Sequence, residues 1–168
     1  MPGDPTGLAI RLATEADLHA IDDIYNWYIP RSTCTYQEKV EPFEARVQWF
    51  QQHGPKHPVT VAMLDGQIVG WGALSEFRER VAYRHTVENS VYIHHDQHGQ
   101  GIGSALLEDL IERARDLGHH VIIAGIDAEQ ISSVALHKKF GFEQCAQMKE
   151  VGRKFDRWLD VIFMQLRL

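Results

Sequence analysis

Apolar positions along this chain follow two rhythms, and the places where one gives way to the other mark its elements. Leu8-Ala-Ile-Arg-Leu12 alternates with period two and reads as a short strand. Thr14 with Asp17 resembles a capping box. Leu18, Ile21, Tyr25 and Tyr28 then recur every three or four residues, which predicts a helix that Pro30 ends. Pro42 at a first helical position and Gly54 past the last turn bracket a second helix, with Phe43, Val47 and Phe50 on its apolar face. Between the helices, the Ser- and Thr-rich stretch Arg31–Val40 is either a solvated connection or a loop presenting Thr35 and Tyr36 to a ligand.

Val59–Leu64 and Gln67–Leu74, joined by Asp65-Gly66, predict a hairpin, because an Asp-Gly pair suits the two-residue type I′ turn. The charged segment Phe77–His85 leads into a strand, Thr86–Ile93. Helical rhythm returns with Ile102, Leu106, Leu110, Ala114 and Leu117, and Gly118 supplies the stop. Val121–Ala124 reads as a buried strand, and Ser132–Phe140 as a short helix with Ala135, Leu136 and Phe140 inward. Phe142–Val151 and Trp158–Leu166 read as two last strands, joined across Gly152–Asp156. The order β-α-α-β-β-β-α-β-α-β-β predicts an α/β (α+β) fold with a mixed sheet and helices on both faces. The hairpin argues against an all-parallel doubly wound sheet. With no internal repeat or linker, residues 1–168 form one domain, residues 1–6 being a loose tail.

Composition narrows the partners. At a net charge of −6 the chain has no electrostatic drive toward nucleic acid or an anionic membrane, so an anionic ligand must be held locally. No apolar run approaches the roughly 18 residues of a membrane span. Cys34 and Cys145 stand far apart in no paired motif, which indicates neither a disulfide scaffold nor a thiolate zinc site and fits a reducing cytoplasm. His94, His95 and His98 cluster near Asp96, but without the ligand spacing of a zinc site, and no metal is expected.

The chemistry concentrates between Glu88 and Ser104. Gly99, Gly101 and Gly103 sit between a strand and a helix, where amides of the helix start can seat phosphate groups. Glu88 lies upstream on the same strand. A nucleotide-binding module reads the same glycines as a degenerate dinucleotide fingerprint. That motif belongs after the first strand of a βαβ unit, with an acid about 20 residues on. Here the glycines lie past mid-chain, and Asp127 is the nearest candidate acid.

In element order and in His98-Gly-Gln-Gly101-Ile-Gly103, the chain resembles the GNAT N-acetyltransferases, with His98 where the family pattern has Arg or Gln. Thr86-Val-Glu-Asn-Ser-Val-Tyr-Ile93, Leu136-His-Lys-Lys-Phe-Gly-Phe142 and Gly152-Arg-Lys-Phe-Asp-Arg-Trp-Leu-Asp160 are similar to the phosphinothricin and methionine sulfoximine acetyltransferase branch. The resemblance implies the GNAT fold, acetyl-CoA as co-substrate, and N-acetylation of a small amino acid such as phosphinothricin, methionine sulfoximine or methionine sulfone. It implies Glu88 as general base and His137 as acid, relay or positioning group, where many GNAT enzymes have Tyr. The backbone of Val91, Tyr92 and Ile93 is expected to pair with the pantetheine arm, and the loop Gly99, Gln100, Gly101, Ile102, Gly103 and Ser104 to take the pyrophosphate. Gln130 is expected near the arm. Arg78, Arg80 and Tyr83, with Tyr36, are the expected substrate contacts, Arg84 being left open between contact and solvent. A homodimer is implied, to which the final strand Val161–Met164 contributes unless it is core. Acetylation of another amine, such as a peptide N-terminus or a polyamine, and a non-catalytic acyl-CoA sensor are the remaining alternatives.

Overall fold

The Asp65-Gly66 turn forms as its residue types require, both residues adopting positive φ (50° and 79°), and it joins β2 (Val59–Leu64) to β3 (Gln67–Glu76). The computed structural model describes residues 7–168; the tail expected at residues 1–6 lies outside them. In chain order the other elements are β1 (Ala9–Leu12), α1 (Leu18–Tyr28), α2 (Phe43–Gln52), β4 (Thr86–Ile93), α3 (Ile102–Asp116), β5 (Val121–Asp127), α4 (Ile131–Lys139), β6 (Glu143–Lys154) and β7 (Arg157–Arg167). Seven strands form one sheet in the order β1-β2-β3-β4-β5-β7-β6, and every pair is antiparallel except β4 with β5. No described helix is long and apolar enough to cross a membrane.

Alternation along the strands divides the core between the two faces. On one, Leu18, Ile21 and Ile24 of α1 pack on Val61, Trp71 and Ala73, with α2 laid over them. Arg46 of α2 is clamped there between the rings of Tyr25 and Trp49, 4.7 Å from each centroid, and paired with Asp22 at 3.1 Å. On the other face α3 buries Leu106, Leu107 and Leu110. It can lie close because β3 has no side chain at Gly70 and Gly72, where a Cβ would stand 3.1 Å from Leu106 and 3.0 Å from Leu110.

Several boundaries differ from the expected ones. Thr14 precedes a 3₁₀ turn, Glu15–Asp17, rather than α1 itself, and Pro42 is the residue before α2. In α4 the inward position is His137 rather than Ala135, which is exposed, because residues 134 and 137 share the helical face that meets the sheet. β6 and β7 run to a two-residue turn at Phe155-Asp156, both at positive φ. Neither is the glycine that usually announces such a turn. β7 lies between β5 and β6, and Met164 is fully buried, so Val161–Met164 belongs mainly to the interior.

Asp17 ties the chain's first turn together. Its carboxylate accepts both Arg11 guanidinium bonds (2.7 and 2.8 Å) and those of the Thr14 amide and hydroxyl, which pulls its pKa down to about 2. A depressed carboxylate stabilises the fold above its unfolded pKa and loses that contribution as pH falls through the folded value. Asp17→Asn is therefore expected to cost about 1–2 kcal/mol at pH 7, allowing for the half-exposed Arg11, with the deficit vanishing toward pH 2. Urea midpoints across that range measure it.

Candidate active site

β4 and β5 pair only over Thr86–Glu88 and Val121–Ile123. Beyond that point β4 continues beside β3 and β5 beside β7, and a cavity of about 420 Å³ opens between them. The His94 amide donates to Val69 (2.8 Å), and Tyr92 lies opposite Trp71. By antiparallel alternation this turns the backbone groups of Tyr92 toward β3 and those of Val91 and Ile93 toward the cavity. Tyr92 instead uses its hydroxyl, donating to the Cys34 carbonyl at 3.2 Å.

At one end of the cavity stands the glycine loop. Gly99 and Gly101 have φ of 77° and 80°, and Gly101 immediately precedes α3, so the first amides of a 15-residue helix face the opening. Gly103 is needed for a different reason: a Cβ there would lie 3.3 Å from Leu136. Lys139 donates to the Ser104 hydroxyl at 3.2 Å and brings positive charge to the same corner. Gly99, Gly101, Ile102, Gly103, Ser104 and Gln130 line the cavity. Gln100 does not; its amide donates to Gln97.

Where the strands part stands Glu88, outside the cavity lining but against Gly125, which belongs to it. Its Oε1 would be 3.2 Å from a Cβ at Gly125, so glycine on β5 gives the carboxylate its room. It has no hydrogen-bond or ion-pair partner among the described residues, and burial raises its pKa. His137 approaches from the opposite face of the sheet. Its Nδ1 is 2.8 Å from the Ser133 carbonyl, and its Nε2 is 2.9 Å from the Asn89 amide nitrogen. The carbonyl can only accept, so Nδ1 carries the proton and Nε2 accepts from Asn89. Burial lowers the His137 pKa, which favours this neutral form. Asn89 Oδ1 is buried without a partner among the described residues.

The expected substrate residues lie elsewhere. Arg78 stacks over Phe77 and Tyr83 (5.1 and 5.7 Å), and Arg78, Arg80, Tyr83 and Arg84 are exposed outside the cavity lining. Tyr36 lies against Gly152 and donates at 2.6 Å to Asp127, which does line the cavity. Sequence reasoning assigned no role to Asn89 or Tyr28. For Asn89 a signal existed: strand alternation puts this amide on the same face as Val87 and Val91, a polar group on a buried apolar stripe. Tyr28 read simply as helix core.

Residues 21–142 match the model of the acetyltransferase (GNAT) family. The chain belongs to the GNAT family. It is 41% identical over 162 residues to the L-amino acid N-acyltransferase MnaT of Escherichia coli, covering 96% of this chain and 94% of that one. It is 38% identical to the L-methionine sulfoximine/L-methionine sulfone acetyltransferase of Salmonella typhimurium, covering 96% and 95%. Among solved structures, a GNAT phosphinothricin acetyltransferase from Sinorhizobium meliloti in complex with AcCoA superposes with a TM-score of 0.91 at 39% identity, over 96% of this chain and 88% of that one.

A half-buried carboxylate without a partner is a burden on the fold. Ionised Glu88 is penalised in the folded state, and the penalty disappears as pH falls below the unfolded value near 4.5. Glu88→Gln is therefore expected to unfold at a higher temperature than the parent at pH 8, with the gap closing toward pH 4. A lower midpoint at pH 8 would contradict the desolvated carboxylate.

Proposed function

We propose that the chain is an N-acetyltransferase that moves the acetyl group of acetyl-CoA to the α-amine of a small amino acid such as L-phosphinothricin, L-methionine sulfoximine or methionine sulfone. The observation carrying this reading is the cavity itself, a cleft between two parted strands with a phosphate seat at one end and, beside the cleft, the unpaired Glu88 carboxylate against the lining residue Gly125. The similarity of the chain to amino-acid acyltransferases along nearly its whole length supports the substrate class.

The coenzyme's pyrophosphate takes the amides from Gly99 to Ser104, and its amide-bearing arm lies along the Val91 and Ile93 backbone as an added strand would. The neutral amine attacks the thioester carbonyl directly, without an acyl-enzyme. Glu88 accepts the amine's proton, directly or through water, and a raised pKa suits a base working near neutrality. The C–S bond then breaks and the thiolate takes a proton from solvent. His137 holds no spare proton at neutral pH, and its role is to fix the Asn89 amide at the cavity wall. Arg78, Arg80 and Arg84 all lack a carboxylate partner among the described residues, and Arg78, held over Phe77 and Tyr83, is the guanidinium we assign to the substrate carboxylate.

Free-thiol release from acetyl-CoA against a panel of amino acids, a peptide and a polyamine tests this. Turnover of small amino acids is expected, and Glu88→Gln should lose at least about 100-fold in kcat. Turnover of a peptide amine alone would overturn the substrate class. Arg78→Ala is expected to raise KM for the amino acid about tenfold while leaving coenzyme affinity unchanged.

The chain also reads as a homodimer of the cytoplasm. Both cysteines are free, and β6 is exposed from Glu143 to Val151, with Met148, Val151, Phe155 and Trp158 presenting apolar surface around its hairpin. Light scattering is expected to give a dimer that Val151→Glu with Trp158→Glu converts to monomer. A monomeric parent chain would refute it.

A further inference from the structure

Three groups stand in line beside the glycine loop. The Tyr28 hydroxyl is 2.6 Å from the Ile93 carbonyl and 2.6 Å from His98 Nε2. A carbonyl accepts only and a hydroxyl has one proton, so Tyr28 donates to Ile93, and His98 donates from Nε2 to Tyr28. Burial pushes the Tyr28 phenol up to about 12, so it keeps that proton. The tautomer of His98 is thereby fixed: Nε2 carries hydrogen, and Nδ1 is the ring nitrogen left with a free lone pair. A second proton on Nδ1 leaves the bond to Tyr28 intact. His98 lines the same cavity as Gly99, Gly101 and Ser104.

We propose that His98 couples coenzyme binding to proton uptake: phosphates seated on the loop amides draw a proton onto Nδ1, and the resulting imidazolium shares their charge. This rests on reading the cavity as the acetyl-CoA site. The other ionisable or charged groups of the neighbourhood are accounted for. On its own turn His95 faces Asp96 at 3.4 Å and stacks on Trp27, while His94 Nδ1 accepts from the Asp96 amide. From α1 come Tyr28 and Arg31, whose guanidinium lies over Trp27; from β4 comes Tyr92, whose ring is 6.0 Å from that of Tyr28. Cys34 on the preceding loop is held as a thiol by burial, and Lys139 is bound to Ser104. Among the described residues only Tyr28 hydrogen-bonds His98.

Bound phosphate stabilises the charged imidazole, so binding favours protonation of His98 and protonation favours binding. Affinity is then highest where the ring is charged and falls as pH rises and the imidazolium is lost.

Titration calorimetry of acetyl-CoA without acceptor, near pH 7 in buffers of different ionisation enthalpy, counts the protons. The parent protein is expected to take up a measurable fraction of a proton that His98→Gln and His98→Arg do not. Between about pH 6 and 8 its Kd is expected to weaken several-fold, whereas His98→Arg, with a permanent charge, stays flat. His95→Asn should keep the parent uptake. Equal uptake in the parent and His98→Gln, which would trace the proton to the coenzyme's own phosphate or to another side chain, overturns the proposal while leaving the acetyl-CoA reading standing. Absence of acetyl-CoA binding in every protein, folded by circular dichroism, would overturn the cavity's reading and the proposal with it.

Discussion

The parting of β4 from β5 is the constraint on which the rest depends. Two parallel strands that pair over three residues and then separate leave backbone N–H and C=O groups without a ladder partner along the inner edge of the gap. In a closed, dry interior such groups would cost too much to keep, so the gap has to be filled by something that offers amides or water in return. An extended molecule bearing its own amides satisfies that demand better than a compact one. The glycine loop, which follows β4, lines one end of the space, and Glu88, the last residue of β4 paired with β5, marks the point where the strands part.

The same strand explains why the candidate base and His137 do not touch. Side chains of β4 alternate between faces, so Glu88, Ser90 and Tyr92 point toward α1 and α2 while Asn89, Val91 and Ile93 point toward α3 and α4. Only a ligand passing between the parted strands meets both sets. Burial acts on the two ionisable groups in opposite directions of pKa and with one outcome: each is pushed toward its neutral form. A neutral His137 is an acceptor toward Asn89.

What was legible in the sequence was local. The Asp65-Gly66 turn, the apolar stripe of α3 and the glycines before it each carry their instruction within a few residues. The pairs that were not legible are distant in the chain: Tyr28 with His98, 70 residues apart, and Asn89 with His137, 48 apart. Periodicity marked Tyr28 as core and could say nothing of its hydroxyl, which reaches past the core to the end of β4. The connection expected across Gly152–Asp156 narrows to the two residues Phe155-Asp156, because the surrounding strands impose a left-handed conformation that these residue types do not favour. His98 was visible as a departure from the GNAT pattern, yet its consequence required the tautomer, and the tautomer required Tyr28.

Loop 31–40 was ambiguous in sequence for a related reason: its conformation is imposed from outside. Lys154, at the end of β6 and 2% exposed, donates at 2.7 Å to the carbonyls of both Ser32 and Thr35. Asp127, at the end of β5, accepts from Thr33 and Tyr36, and Gln130 donates to Thr33. Gly152 makes room for the Tyr36 ring, which would overlap any Cβ at that position. A loop of small polar residues, with little apolar surface of its own, is thus held as cavity wall by a hairpin that follows it by more than a hundred residues. The order of Cys34 and Tyr36 beside the cavity is then imposed by the ends of β5 and β6 and by Gln130, far from the loop in the chain.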